Sequence, residues 1–163
     1  MKTYKLFFIA LSFVSVLSAC EKDDAPHVKS TAEKISSDAG KKWSVASVKA
    51  KYTINGQERQ DDIKSIYFDD ECEQDNLMVL YSNKKYETRE GDEKCGSSDL
   101  VSSGTWELKK DETEIHITSN GNSSYSTIVE ATETKVVTEF PETFNLTNGS
   151  KINGTVVFEY RAE

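Results

Sequence analysis

The sequence predicts an all-β domain, an antiparallel meander of eight or nine short strands that closes on itself. Three observations carry this expectation. There are only two prolines, and Thr, Val, Tyr and Ser are plentiful, a composition that suits strands. From Trp43 to Tyr160, short segments alternate apolar and polar residues with a period of two. Turn residues interrupt them at short intervals (Asn55-Gly56, Ser82-Asn83-Lys84, Lys110-Asp111-Glu112, Asn120-Gly121-Asn122), and no segment holds a helical period over the length of an ordinary helix. A sheet of this kind must hide its edges, and closure does so directly; a two-sheet sandwich is the alternative.

The chain is expected to reach this domain through a leader. Lys2 and Lys5 form a positive start, Leu6 to Leu17 is apolar, and Ser18-Ala19 are small. The apolar run is too short to span a bilayer core of ~30 Å as a helix and fits a secretory signal over residues 1–19. Leu17-Ser18-Ala19-Cys20 resembles a bacterial lipobox, which makes Cys20 the lipidated first residue of the mature protein. An ordinary signal peptide followed by a chance cysteine is the alternative. Acyl chains on Cys20 would hold the domain on a membrane at about 0.8 kcal/mol per buried CH₂, with no transmembrane helix. Glu21-Lys22-Asp23-Asp24 resembles the Lys-plus-acidic tetrad behind the lipid cysteine in surface-exported lipoproteins of Bacteroidetes-type bacteria. The resemblance implies an outer-membrane lipoprotein exposed on the cell surface; a periplasm-facing one, or a plain solvated linker, is the alternative. Residues 20–40 read as a flexible tether, with a short helical turn allowed near Thr31–Ile35 and no role assigned to His27.

The folded domain is expected over residues 41–163. Loss of the leader removes Lys2 and Lys5, leaving 18 basic against 28 acidic residues, a net charge of −10. Such a surface argues against nucleic acid and against electrostatic adhesion to anionic lipid. In Lys42 to Ile54, Trp43 and Val45 share one parity, while Val48, Ala50, Tyr52 and Ile54 share the other. A bulge near Ala46-Ser47 would turn both sets inward. After the Asn55-Gly56 turn, Gln57 to Asp61 returns as a short strand. Ile63, Ile66 and Tyr67 are spaced for a short helix across an open end. Next come Leu77 to Tyr81, with Met78 and Leu80 together, and Tyr86 to Glu90, with Tyr86 and Thr88 on one face and Lys85, Glu87 and Arg89 on the other. Trp106 and Leu108, then Ile115 and Ile117, alternate with polar residues. Tyr125, Ile128 and Val129 are the bulky members of the strand after Asn122, and Val136, Val137 and Phe140 mark the next. Thr143 to Asn153 reads as a polar loop, before a closing strand with Val156, Phe158 and Tyr160.

With Cys20 assigned to lipid, Cys72 and Cys95 remain as an even pair outside the cytoplasm, where a disulfide is the expected outcome. A metal or redox pair is the alternative, but Cys-x-x-Cys is absent and no histidine is close in sequence. The pattern Cys72-x-x-Asp75-Asn76, Leu80, Asn83, Tyr86, Gly91, Cys95, Gly104-Thr105-Trp106, with Lys41-Lys42-Trp43 ahead of it, resembles the lipocalin-like domain lipoproteins of Bacteroidetes over about residues 41–161. That resemblance implies an eight-stranded up-and-down barrel with one more open end. The C-terminal helix of larger lipocalins has no counterpart in the sequence, so the barrel and its cavity are expected to be small.

Trp43, Met78, Leu80, Tyr86, Trp106, Tyr125 and Phe158 are the candidates for the barrel interior. They serve equally as the lining of a pocket for a small hydrophobic ligand or as a filled core. The acidic residues between Asp61 and Asp75 lack the spacing of a calcium loop and read as solvated charge. Asp75 stands out as a turn residue whose carboxylate can accept from backbone N–H groups after Cys72. His116 has no nucleophile near it in sequence, and no G-x-S-x-G, metal-binding helix or phosphate-loop motif occurs. The sequons at Asn122, Asn145, Asn148 and Asn153 read as turn chemistry. No enzymatic activity and no cofactor or metal is expected. The membrane, through the anchor, is the expected partner. A non-enzymatic surface module, presenting loops 61–75, 91–103 and 141–153 to a protein or glycan, is the alternative to ligand binding.

Overall fold

The computed structural model describes residues 27–68, 70–145 and 149–163. The expected signal segment, Cys20 and the start of the tether lie outside the described residues.

Nine strands form a single antiparallel sheet: β1 (Lys41–Ile54), β2 (Gln57–Asp62), β3 (Leu77–Leu80), β4 (Lys85–Arg89), β5 (Leu100–Lys109), β6 (Glu114–Ser119), β7 (Asn122–Ala131), β8 (Lys135–Asn145) and β9 (Lys151–Ala162). β1 pairs with β9, and this closes an eight-stranded up-and-down barrel of β1 and β3 to β9. β2 is the ninth strand and lies outside the closed circle. β1 is long enough to serve two neighbours on one edge. Its residues Lys41 to Ser44 pair with β3, and Lys49 to Ile54 pair with β2. Its other edge pairs with β9 from Trp43 to Tyr52, with the expected bulge between Val45 and Ser47. The bulge resets the parity, so Trp43, Val48 and Ala50 are all buried. Asn55-Gly56 and Asn120-Gly121 turn their hairpins with positive φ at both positions.

The strands are unequal in height. β3 and β4 have 4 and 5 residues, against 14, 11 and 12 in β1, β8 and β9. On the low side, the wall is completed by α2 (Lys64–Tyr67), a 3-10 turn at Glu71–Glu73 and the loop between β4 and β5.

The other end is closed by α1 (Thr31–Ile35). A flexible tether to residue 40 was the expectation, but the described chain is folded against the barrel from Ser30 onward. Ser30 Oγ accepts from Glu33 N at 3.2 Å, and the Glu33 carboxylate accepts from Ser30 N at 2.8 Å, a reciprocal cap. Thr31 N donates to the Glu112 carboxylate at 2.7 Å, and Trp43 Nε1 donates to the Ile35 carbonyl at 2.9 Å. Ile35 is fully buried among Trp43, Leu80, Trp106, Ile115 and Val136. The helix has only five residues, too few to stand alone, so this burial is what holds it. His27, given no role above, lies 3.0 Å from Glu33 Oε1 at the exposed start of this segment.

Two other expectations need correction. Of the described residues in 143–153, most are strand: β8 continues to Asn145 and β9 starts at Lys151, with Phe144 opposite Ile152 and its ring 5.9 Å from that of Tyr52. These apolar side chains hold the hairpin together where the polar composition pointed to a loop. In α2, Ile66 faces solvent at 74 % exposure, while Ile63 and Phe68 pack against Val48, Val156 and Phe158. The short helix itself forms as expected, and four residues make barely one turn, so Tyr67 within it and the flanking Ile63 and Phe68 do the packing.

Candidate functional site

The barrel interior is filled at one end and open at the other. Around α1 the indole rings of Trp43 and Trp106 occupy the lumen, and Trp106 Nε1 is satisfied by the Tyr81 carbonyl at 2.9 Å. Only a void of about 40 Å³ remains there, between Ile35, Leu80, Ile115, Val136 and Thr138. Towards the opposite end a cavity of about 370 Å³ opens to the surface. Its walls are Met78 from β3, Tyr86 and Thr88 from β4, Val101 and Ser102 from β5, Ile117 from β6, and Phe158 and Tyr160 from β9. Tyr67 and Phe68 reach over it from α2, and Glu73 and Asn76 border it after the 3-10 turn. This is just within the usual range for small-molecule pockets, ~300–1,000 Å³. A wider concavity of about 680 Å³ beside the β1–β2 hairpin is lined mainly by polar groups such as Lys51, Glu58, Arg59 and Asn153 and lacks an apolar wall.

Aromatic rings dominate the cavity. Tyr67 meets Phe158 edge-on, with centroids 4.9 Å apart at 84°, and Phe158 stacks on Tyr160 at 5.7 Å. Tyr86 Oη and Thr88 Oγ1 share a hydrogen bond of 2.6 Å on the β4 wall. Burial pushes the Tyr160 phenol well above its ordinary pKa, with Tyr86 and Tyr67 adding to the rise and a Thr138 hydrogen bond opposing it. Burial, then Glu142, also raises Tyr67. Both phenols therefore stay neutral at physiological pH and offer a hydroxyl without charge.

The rim is cross-linked. Cys72, in the 3-10 turn, and Cys95, in the β4–β5 loop, form a disulfide with Cα atoms 5.4 Å apart. Beside it Asp75 Oδ2 accepts from Glu93 N at 2.9 Å, and the Glu90 carboxylate accepts from Cys95 N at 2.7 Å. Asp75 thus caps the loop across the disulfide, not the backbone following Cys72. The partner is 18 residues away, which local turn chemistry could not indicate. Gly91 permits this approach, because a Cβ there would lie 2.4 Å from Asp75 Cγ.

Of the residues singled out by sequence, Trp43, Leu80 and Trp106 form the floor, and Met78, Tyr86 and Phe158 form the cavity wall. Tyr125 is a correction. It pairs with His116, stacks on the imidazole at 5.7 Å and is 57 % exposed on the outer face. The register sends Ser124 and Ser126 towards the lumen, and all three residues border the deep void. Size favoured the tyrosine, but pleat parity decides. His116 is occupied by this stack and by Glu114 Oε2 at 3.1 Å.

Tyr160, Ile117 and Val101 were missed as lining residues. Tyr160 and Ile117 were legible as parity partners of Phe158 and Ile115. Val101 was not, since it lies in a loop-like stretch of serines. Among the described residues, no three His, Cys, Asp or Glu side chains gather into a metal-holding group. No family model matches the chain, and no curated protein is similar to it.

Proposed function

We propose that this protein is a membrane-anchored, extracytoplasmic lipoprotein of the lipocalin-like kind, non-enzymatic, whose barrel binds a small hydrophobic ligand at its open end. The aromatic cavity of about 370 Å³ carries the ligand part of this reading. A filled lumen at that end would have favoured a purely structural barrel. The lipobox-like Leu17-Ser18-Ala19-Cys20 supports the anchor, and the acidic tetrad after it supports display on the outer membrane surface. Tethered in this way, the domain would hold its ligand next to, but outside, the bilayer.

Native mass spectrometry of the purified protein tests the ligand reading. A co-purified or lipid-extract-derived adduct is expected, and it should be lost when Phe158, the ring in contact with both Tyr67 and Tyr160, is replaced by Ala. No adduct across several lipid extracts would refute it. Metabolic labelling with an acyl-chain analogue tests the anchor: label should be incorporated into the wild type and not into Cys20→Ala.

One observation favours a second reading, an interaction module. Tyr125 and Val129 on β7 are each 57 % exposed on the outer face. An apolar, aromatic strip of this kind suits a protein or glycan partner. Retained partner capture by a variant with a plugged cavity would support that reading over the first.

A further inference from the structure

We infer that the open end selects a compact neutral or cationic amphiphile whose head donates hydrogen bonds, and that it rejects carboxylates. This rests on the ligand-binding reading above and narrows its chemistry.

The formal charge of the cavity is one-sided, while the hydroxyls of Tyr67, Tyr86, Thr88, Ser102 and Tyr160 can donate or accept. Among the described residues lining it, Glu73 is the one carboxylate, and no lysine or arginine is present. The cations of the flanking segments already have partners: Lys64 Nζ donates to the carbonyl of Val45, a lining residue, at 2.6 Å, Arg89 Nε to Glu87 at 2.7 Å, and Lys94 Nζ to Asp99 at 2.7 Å.

A carboxylate entering here would meet a like charge, with no cation among the described lining residues to pair with. That is the expensive way to bury an anion. An ammonium or hydroxyl head finds the Glu73 carboxylate as acceptor, and its apolar body meets the faces of Tyr67, Phe158 and Tyr160, where a cation gains further. Size sets the other limit. At about 30 Å³ per water-sized unit, the cavity of about 370 Å³ holds about a dozen heavy atoms. It fits a small aromatic amine or alcohol whole, and only the end of a longer lipid.

Three probes of one shape separate the possibilities: 2-phenylethylamine, 2-phenylethanol and phenylacetate, titrated calorimetrically into the purified protein. The amine is expected to bind tightest, and the carboxylate at least roughly tenfold more weakly, equivalent to about 1.4 kcal/mol. Glu73 sits in an exposed turn, so Glu73→Gln should fold normally. It should weaken the amine roughly threefold or more, as loss of one ion pair predicts, and leave the alcohol nearly unchanged. Phenylacetate binding as tightly as the amine, or an amine affinity indifferent to Glu73→Gln, overturns the selectivity while leaving the cavity a ligand site. Failure of all three probes and of a neutral apolar dye removes the ligand reading, and this inference with it.

Discussion

Replacing Ile35 by Ala tests whether the segment before the barrel is tether or plug. Ile35 has no exposed surface and packs against both tryptophans of the floor. The substitution removes three carbons from a fully buried site, about 2.4 kcal/mol at ~0.8 kcal/mol each. The strands around it are held by ladders on both sides and cannot collapse onto the gap, and a void of about 40 Å³ already lies beside it. A cavity cost of roughly 1 kcal/mol or more therefore adds to the transfer loss. The better helix propensity of Ala returns a few tenths of a kcal/mol. A net loss of ~3 kcal/mol is expected, or roughly a 10 °C fall in Tm for a domain of this size. Equilibrium urea unfolding measures it directly, because Trp43 and Trp106 are both buried and report on the same end of the barrel. The midpoint should fall with the m-value unchanged. A loss under about 1 kcal/mol would mean that α1 is not seated in the lumen, and the closed end would have to be redrawn.

Four further outcomes are expected. Replacing Cys72 and Cys95 together by Ala frees a loop of separation 23 and should cost ~3.4 kcal/mol in the chain-entropy model, read by denaturant unfolding with and without reductant. Glu87 is buried, and hydrogen bonds from Lys85, Arg89 and Tyr81 hold its pKa at about 2, below the ordinary 4.5, against the opposing effect of burial. Its stabilisation is complete above the unfolded value and lost as pH falls from about 4.5 towards 2. Glu87→Gln should therefore lower stability at neutral pH by roughly 1.5–3 kcal/mol and flatten the pH–stability curve in that window. Val101→Trp, at a position 49 % exposed beside the cavity, should abolish ligand adducts in native mass spectrometry and shift Tm by no more than a few degrees. Lys110, Asp111 and Glu112 all take positive φ, so Asp111→Gly should raise stability by ~0.5–1 kcal/mol in thermal unfolding.

The wall of the barrel was legible in the sequence because period-two patterning constrains each strand by itself. The bulge at Ala46-Ser47 is the clearest case: two parity classes in one strand must both face in, and only an extra residue allows it. Tyr125 failed for the complementary reason. Parity fixes which residues share a face, but not which face is inner, unless a strand carries an unambiguous apolar set. On β7 the inward set is Ser124, Ser126 and Ile128, so bulky residues stand on both faces of the strand and the apolar pattern alone does not choose between them. The closed end was hidden because α1 offers one apolar anchor, Ile35, in an otherwise polar stretch. Asp75 and Gly91 were visible as residues, but their relation crosses the disulfide and exists only in the fold.

The position of the cavity follows from unequal strand length. If β3 and β4 matched β1 and β9 in height, eight equal strands of this size would enclose a lumen that side chains fill. With 4 and 5 residues they stop short, and the gap above them must be closed by chain that is not sheet. α2, the 3-10 turn and the β4–β5 loop do this without ladder hydrogen bonds to fix them. The Cys72–Cys95 bond and the Asp75 carboxylate on Glu93 N fix them instead. The aromatic cavity lies between α2, the end of the 3-10 turn and the inner faces of the strands. The cysteine pair, the Asp-Asn step and the glycine are therefore best understood as one device. They keep a short-walled barrel open at one end while two tryptophans and Ile35 seal the other.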